Sequence, residues 1–224
     1  TSRHLEAFRR LSAKHNVTIV LGFLEHVSPA KGVNWYGAPV QNAAIIFDGG
    51  MEVGVHYKTR VSGCGNASHP PVGCRDWRDE TRLLVPGDGI EIWRTRLGKF
   101  AIYTCSENMA PERWSEKKGL VDFIVSPYNC EESNGTFVYP DVRIGGRTFP
   151  QRTCNTAAVN SPNSQVSALP SVWANRVGSA YVGGDVPHYI ANRGTAGGTD
   201  KRGKVVARTT PGVEEVLLFS LPLD

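Results

Sequence analysis

Phe100-Ala101-Ile102-Tyr103-Thr104-Cys105-Ser106-Glu107-Asn108-Met109-Ala110-Pro111-Glu112 is the stretch on which the fold of this chain turns. Its opening is an apolar run with the character of a buried strand, and the run ends at a thiol. Beyond Cys105, the pair Pro111-Glu112 opens a helix. Proline suits the first helical position, where no N–H is needed, and glutamate complements the positive end of the helix dipole. A thiol between a strand end and a helix N-terminus sits where thiolate is favoured over thiol. The pattern is that of a strand-to-helix turn built around a nucleophile. Taken alone, the same residues also fit a buried free cysteine acting as a small hydrophobe.

Working outward, three further segments share a logic with this one. Val53-Gly54-Val55-His56-Tyr57-Lys58-Thr59-Arg60 is a strand that ends near a lysine. Asp79-Glu80-Thr81-Arg82-Leu83-Leu84-Val85-Pro86-Gly87-Asp88 places a glutamate shortly before a Pro-Gly-Asp turn. The C-terminal part holds Asn175-Arg176-Val177-Gly178, Gly197-Gly198-Thr199-Asp200 and Glu214-Glu215-Val216-Leu217-Leu218-Phe219. In this order, the segments resemble the nitrilase, or carbon–nitrogen hydrolase, superfamily. Only the stretch from about 130 to 169 has no counterpart.

The resemblance implies a chemistry and a fold. Cys105 would attack an amide carbonyl or a nitrile carbon, forming a thioester or thioimidate that water hydrolyses. Lys58, with the backbone N–H of Ser106, would stabilise the oxyanion. Glu80 would orient the substrate or the attacking water, and Glu107 would support the turn that carries Cys105. No cofactor and no metal are implied; the partner is a small-molecule amide, N-carbamoyl compound or nitrile. A homodimer or larger homo-oligomer in the cytoplasm is expected. On their own, hairpins mixed with helices argue for an α/β protein with a mixed sheet covered by helices. The resemblance makes this an α-β-β-α four-layer sandwich.

The chain departs from the family pattern at its start. The family's general base is a glutamate in a Pro-Glu turn, and these 224 residues hold no counterpart of that turn. Glu6 and Glu25 are the nearest acids, and neither lies in such a turn. Residues 1–224 are therefore expected to be one carbon–nitrogen hydrolase domain lacking its first strand–helix–strand unit, which would bare apolar surface. The alternative is a catalytically inactive family-fold fragment serving as a binding or structural subunit. Two lesser departures are Val61, where a leucine is usual, and Ser106, where an aromatic residue is more frequent.

Composition bounds the remaining classes. A formal net charge of +4 is mildly basic. Arg75, Arg78 and Arg82 interleave with Asp76, Asp79 and Glu80, and Lys201, Arg202 and Lys204 sit on a turn beside Asp200. Neither group forms the one-sign stripe that nucleic acid requires. No apolar run approaches the length of a membrane span. There are five cysteines and no Cys-x-x-Cys pair, which argues against a zinc ribbon or a thioredoxin-type site. Cys64, His69 and Cys74 are spaced like metal ligands but read as incidental in an irregular loop; Cys64 and Cys74 could pair in an oxidising compartment. Sequons occur at Asn16, Asn66 and Asn134; Asn16 is expected at the start of a core strand, where a glycan would not fit, and all three are read as chance. Neither a Gly-x-Ser-x-Gly elbow nor a His-Glu-x-x-His helix is present. A Cys–His pair stays open, with His56 and His188 as candidates.

Periodicity predicts an opening helix over 4–15 with Leu5, Phe8 and Leu11 on one face. Strands are predicted at 17–23, 43–47 and 53–57, the last two joined across Asp48-Gly49-Gly50. A second hairpin is predicted from 90–95 and 100–104, followed by a helix over 111–118 stopping at Gly119 and a strand at 122–126. The loop 62–77 is long enough to be functional or disordered. From 130 to 170, Gly, Pro, Asn, Ser and Thr predict a surface excursion with some helix near 165–174. Strands at 180–182, 205–208 and 216–221 are predicted to close the chain.

Overall fold

The computed structural model describes residues 2–33, 37–61, 80–109, 111–129, 142–144, 147–149, 156–182, 188–210 and 213–223. The fold is mixed α/β, as expected, with sheets and few helices. It divides into two compact units, Thr1–Ile102 and Tyr103–Asp224.

The first unit begins with α1, Arg3–His15, whose N-cap Ser2 accepts a hydrogen bond from the Leu5 N–H. The apolar stripe differs from the expected one: Leu11 is exposed, and Ser12 takes the buried position. The reason is a pair of hydrogen bonds. Ser12 Oγ donates to the Val17 carbonyl at 2.6 Å and accepts from the Gly50 N–H at 3.1 Å, tying the helix to the sheet beneath it. Asn16 is the helix C-cap in the left-handed region, not the start of a strand, and its side-chain oxygen accepts from Arg96. Strands β1 (Thr18–His26), β2 (Val40–Asp48) and β3 (Met51–Tyr57) form an antiparallel sheet in that order. The central run Ala43-Ala44-Ile45-Ile46-Phe47 is fully buried, which is what a continuous apolar strand requires. The β2–β3 turn uses Gly49 and Gly50 at φ 58° and 88°, the positive pair of a tight hairpin. The four-residue helix α2, Glu80–Leu83, follows, and then β4 (Trp93–Thr95) and β5 (Gly98–Ile102) close a tighter hairpin than predicted, Thr95 facing Gly98.

The second unit opens with a 3-10 turn at Cys105–Met109, the short helix α3 (Pro111–Ser115) and β6 (Phe123–Tyr128). Gly119, at φ 75°, lies four residues past the end of α3. A small hairpin, β7 (Val142–Ile144) with β8 (Arg147–Phe149), precedes α4 (Thr156–Ser167). Then come β9 (Ser171–Asn175), the β10–β11 hairpin (Val177–Val182 with His188–Arg193), β12 (Gly197–Thr199) and β13 (Val205–Arg208). β9 lies parallel to β6, and β12 lies between β9 and β13, antiparallel to both.

Two predictions fail here. The helix near 165–174 is instead α4, nine residues earlier in its start, and 171–175 is a strand. Far from a surface excursion, α4 buries Thr156, Ala157, Val159, Asn160, Asn163, Ser164 and Ser167. Polar residues are tolerated inside because their groups pair. Asn160 donates to the Thr156 carbonyl, Ser167 to the Asn163 carbonyl, and Ser164, Ser171 and Thr199 bond one another. The second failure is the strand at 216–221. Residues 213–223 form no strand, and Val216 and Leu218 are each 89% exposed. Apolar alternation becomes a strand only where an edge supplies the ladder partner.

Candidate active site

In the first unit, β3 is followed directly by Lys58, whose N–H donates to the Asn42 carbonyl at 2.8 Å and whose carbonyl accepts from the Gly87 N–H at 2.9 Å. The segment after α2 is laid along the sheet by two more bonds, Val85 N–H to the Val40 carbonyl and Gln41 Nε2 to the Pro86 carbonyl. Gly87 is required there: a Cβ would lie 2.3 Å from the Tyr57 carbonyl oxygen. That docking brings Glu80 to Lys58, with Nζ 2.5 Å from Oε2. The lysine side chain is wholly buried and the glutamate 26% exposed, so the pair is a cation held inside with its counter-charge facing partly outward. Lys58 is thus not the outward-facing strand lysine that alternation alone would give. Beside it, Tyr57 donates to Glu25 at 2.8 Å; burial first, and then this acid, pushes the phenol up to about 12. Glu6 is held by Arg9 and Arg10 at about 2, far from the range of a base near neutral pH.

In the second unit, Cys105 has φ 49°, a left-handed backbone rarely adopted by residues with a side chain. It is a free thiol of intermediate exposure. Such a conformation persists only where the surroundings fix it. Glu107 and Asn108, both buried, supply that support. Glu107 accepts from the Thr104 N–H at 2.6 Å, the reciprocal bond of a Thr-x-x-Glu capping box. Asn108 Nδ2 donates to the Tyr103 and Cys105 carbonyls at 2.8 and 3.1 Å. Its Oδ1 accepts from Ser126 on β6, and its carbonyl accepts from Asn163 on α4. The turn is therefore clamped from the strand and the helix that pack on it. Tyr103 is anchored as well, donating to the Arg113 carbonyl at 2.6 Å and packing its ring 5.8 Å from that of Trp114.

Of the residues expected from sequence, the structure pairs Lys58 with Glu80 in one unit and joins Cys105, Ser106 and Glu107 in one turn of the other. His56 is buried on β3 in the first unit, while Cys105 belongs to the second. Cys64, His69, Cys74, Asn66, Asn134 and the loop 62–77 lie outside the described residues, as does the His188 side chain. Asn108 was missed, although its amide holds the turn. The Thr104–Glu107 box was readable; the longer reach of Asn108 to Ser126 and Asn163 depends on packing that no local pattern encodes.

The carbon-nitrogen hydrolase family model matches residues 1–224. The chain belongs to the carbon–nitrogen hydrolase family. Solved structures agree on the fold of this family member. A carbon-nitrogen hydrolase from Helicobacter pylori is 19% identical with a TM-score of 0.66, covering 92% of this chain and 63% of its own. Nit3 of Saccharomyces cerevisiae, a member of branch 10 of the nitrilase superfamily, is 16% identical with a TM-score of 0.61, covering 95% and 63%. The NitFhit protein of C. elegans is 18% identical with a TM-score of 0.68, covering 95% and 44%. The chain thus spans less than two thirds of the length of each of these relatives. No curated protein matches it in sequence. Among the described residues no helix is long and apolar enough to cross a membrane.

Proposed function

We propose that this family member hydrolyses a non-peptide C–N bond, in an amide, N-carbamoyl compound or nitrile, through a covalent intermediate on Cys105. The observation that carries the reading is the left-handed backbone of Cys105, clamped by Glu107 and Asn108. The thiolate attacks the carbonyl carbon, the C–N bond breaks with the amine leaving as it gains a proton, and water then cleaves the thioester to the acid and restores the thiol. Lys58, paired with Glu80, would stabilise the oxyanion, and the resemblance assigns the same task to the Ser106 N–H. Glu80 would also orient the substrate or the water. The general base is assigned to a Pro-Glu turn that residues 1–224 do not contain; Glu6 and Glu25 are already engaged by Arg9, Arg10 and Tyr57. A homo-oligomer in the cytoplasm is the proposed setting, the compartment following from the reading of the three sequons as chance.

The test has two arms. Limiting iodoacetamide near neutral pH should label Cys105 ahead of Cys64, Cys74, Cys130 and Cys154, by peptide mapping. Ammonia release from simple amides should be weak for residues 1–224 and rise by roughly 10²–10⁴-fold with an N-terminal segment bearing a Pro-Glu turn, that being the worth of general-base assistance. Robust turnover by residues 1–224, abolished by Cys105→Ala, would keep the nucleophile and reject the missing base. Labelling elsewhere, with turnover indifferent to Cys105→Ala, would reject the nucleophile and favour a non-catalytic subunit.

A further inference from the structure

β1 is an outermost strand of its three-stranded sheet. The bonds at its two ends fix which way its backbone groups point. The Val17 carbonyl accepts from the Gly49 N–H, and the Val27 N–H donates to the Pro39 carbonyl. In an antiparallel ladder, residues alternate between bonding the neighbour and pointing away from it. Odd-numbered residues of β1 therefore bond β2, and Thr18, Val20, Gly22, Leu24 and His26 turn their backbone N–H and C=O groups outward. Among the described residues, no strand pairs with that outer row. An open edge is ordinarily protected by shortness, a bulge, a proline or a lysine. β4 is three residues long, β13 is four, follows Lys204 and ends at Arg208, and β3 has a register shift against β2. β1 has none of these devices. It runs nine residues in unbroken register with β2, and its one acid, Glu25, accepts from Tyr57. No residue of β1 is buried, and Leu24 is 66% exposed. Gly22 is a second, independent observation. Among the described residues nothing within one copy asks for glycine there: the register is regular, and an added Cβ would meet only the Ala43 carbonyl oxygen, at 3.9 Å. Glycine inside a strand without a bulge or bend suits a place where another backbone approaches closely.

We infer that the outer edge of β1 is the interface to a second copy of this chain, the two β1 strands pairing antiparallel across a two-fold axis at Gly22. The inference rests on the homo-oligomer proposed above and not on the chemistry of Cys105. This register sets the outward row of one copy against that of the other. Gly22 faces itself, Val20 faces Leu24, and Thr18 faces His26. Val20 and Leu24 of both copies then surround the axis on one face of the joined sheet, and the exposed leucine is covered. No like charges meet. Glu25 falls opposite Ile19, and the two Glu25 residues stand about 20 Å apart along the strands. The contact is isologous, so pairing closes at two copies rather than growing into a fibre. Nine residues a side make a small interface, and the association should be roughly micromolar.

The experiment is sedimentation velocity of residues 1–224 over a concentration series spanning the micromolar range, for the wild type, Gly22→Lys, Gly22→Glu and an equimolar mixture of the two variants. Each substitution has room within one copy but sets like charges directly opposite at the axis. The wild type should dimerise, and each variant alone should associate at least about tenfold more weakly. The mixture should recover the wild-type affinity to within about threefold, because lysine then faces glutamate. Thermal unfolding of dilute protein checks that the variants fold. If they do not, Leu24→Lys, a change at an exposed position, should weaken the dimer by a similar factor. A dimer indifferent to these variants, or a mixture no tighter than either variant alone, overturns the β1 seam and leaves the homo-oligomer standing. A wild type that stays monomeric throughout the series overturns both, and gives the open edge to a strand of some other partner.

Discussion

Glu80→Gln keeps the size of the side chain at position 80 and removes its charge, leaving the Lys58 ammonium inside without its carboxylate. Lys58 is wholly buried in the side chain, and Glu80 is 26% exposed. Breaking a fully buried pair from one side costs about 3–5 kcal/mol, because the other charge is left uncompensated. The partial exposure of Glu80 admits water to that side, which lowers the expectation to about 2–3 kcal/mol. For a chain of this size that is a fall in Tm of roughly 4–12 °C. Lys58→Met removes the buried charge itself and leaves the acid near water, so its cost should be nearer 1 kcal/mol. The double variant should then be about as stable as Lys58→Met alone, giving a coupling of about 2–3 kcal/mol. Glu80 has further interactions, and the cycle separates them from the pair. Urea unfolding of the four proteins measures every corner. A Glu80→Gln loss under about 0.5 kcal/mol, or strict additivity, would refute the claim that Glu80 holds the Lys58 charge inside.

Gly87→Ala should cost about 1–3 kcal/mol and loosen the Lys58–Glu80 contact, because its Cβ would stand 2.3 Å from the Tyr57 carbonyl; unchanged urea midpoints would show the loop free to shift. Asn108→Ala should lower stability by about 2–4 kcal/mol and slow Cys105 alkylation, since Ser126 and the carbonyls of Tyr103 and Cys105 all lose this partner; full labelling rates would mean that Glu107 alone shapes the turn. Thr199→Val should cost about 1–3 kcal/mol in thermal unfolding, with Ser164 and Ser171 left to bond only each other. Glu6, held down by Arg9 first and Arg10 second, should titrate near 2 rather than 4.5 by carboxyl NMR. Its pairing contributes above the unfolded value and is lost as pH falls toward 2, so a midpoint at 4.5 would count against the contact.

The order of motifs along the chain was sufficient for the family and the mixed α/β class. The strand before Lys58, the Glu80 segment before Pro86-Gly87-Asp88 and the turn around Cys105 are local patterns, each fixed by a handful of neighbours. The hairpin at Gly49-Gly50 was legible for the same reason: positive φ at two successive residues is a chemical demand that glycine meets. What composition concealed was burial. Asn160, Asn163, Ser164 and Ser167 read as a surface, yet they lie inside: Asn160 and Ser167 bond carbonyls of their own helix, while Asn163 and Ser164 find Asn108 and Thr199, far away in sequence. Leu11, Val216 and Leu218 failed in the opposite sense, as apolar residues left exposed. That Lys58 and Glu80 meet, and that Asn108 reaches Ser126 and Asn163 to hold the Cys105 turn, was decided by tertiary packing alone. A side chain's type and spacing state what it can bond; only the folded chain determines which partner stands within 3 Å when water has been excluded.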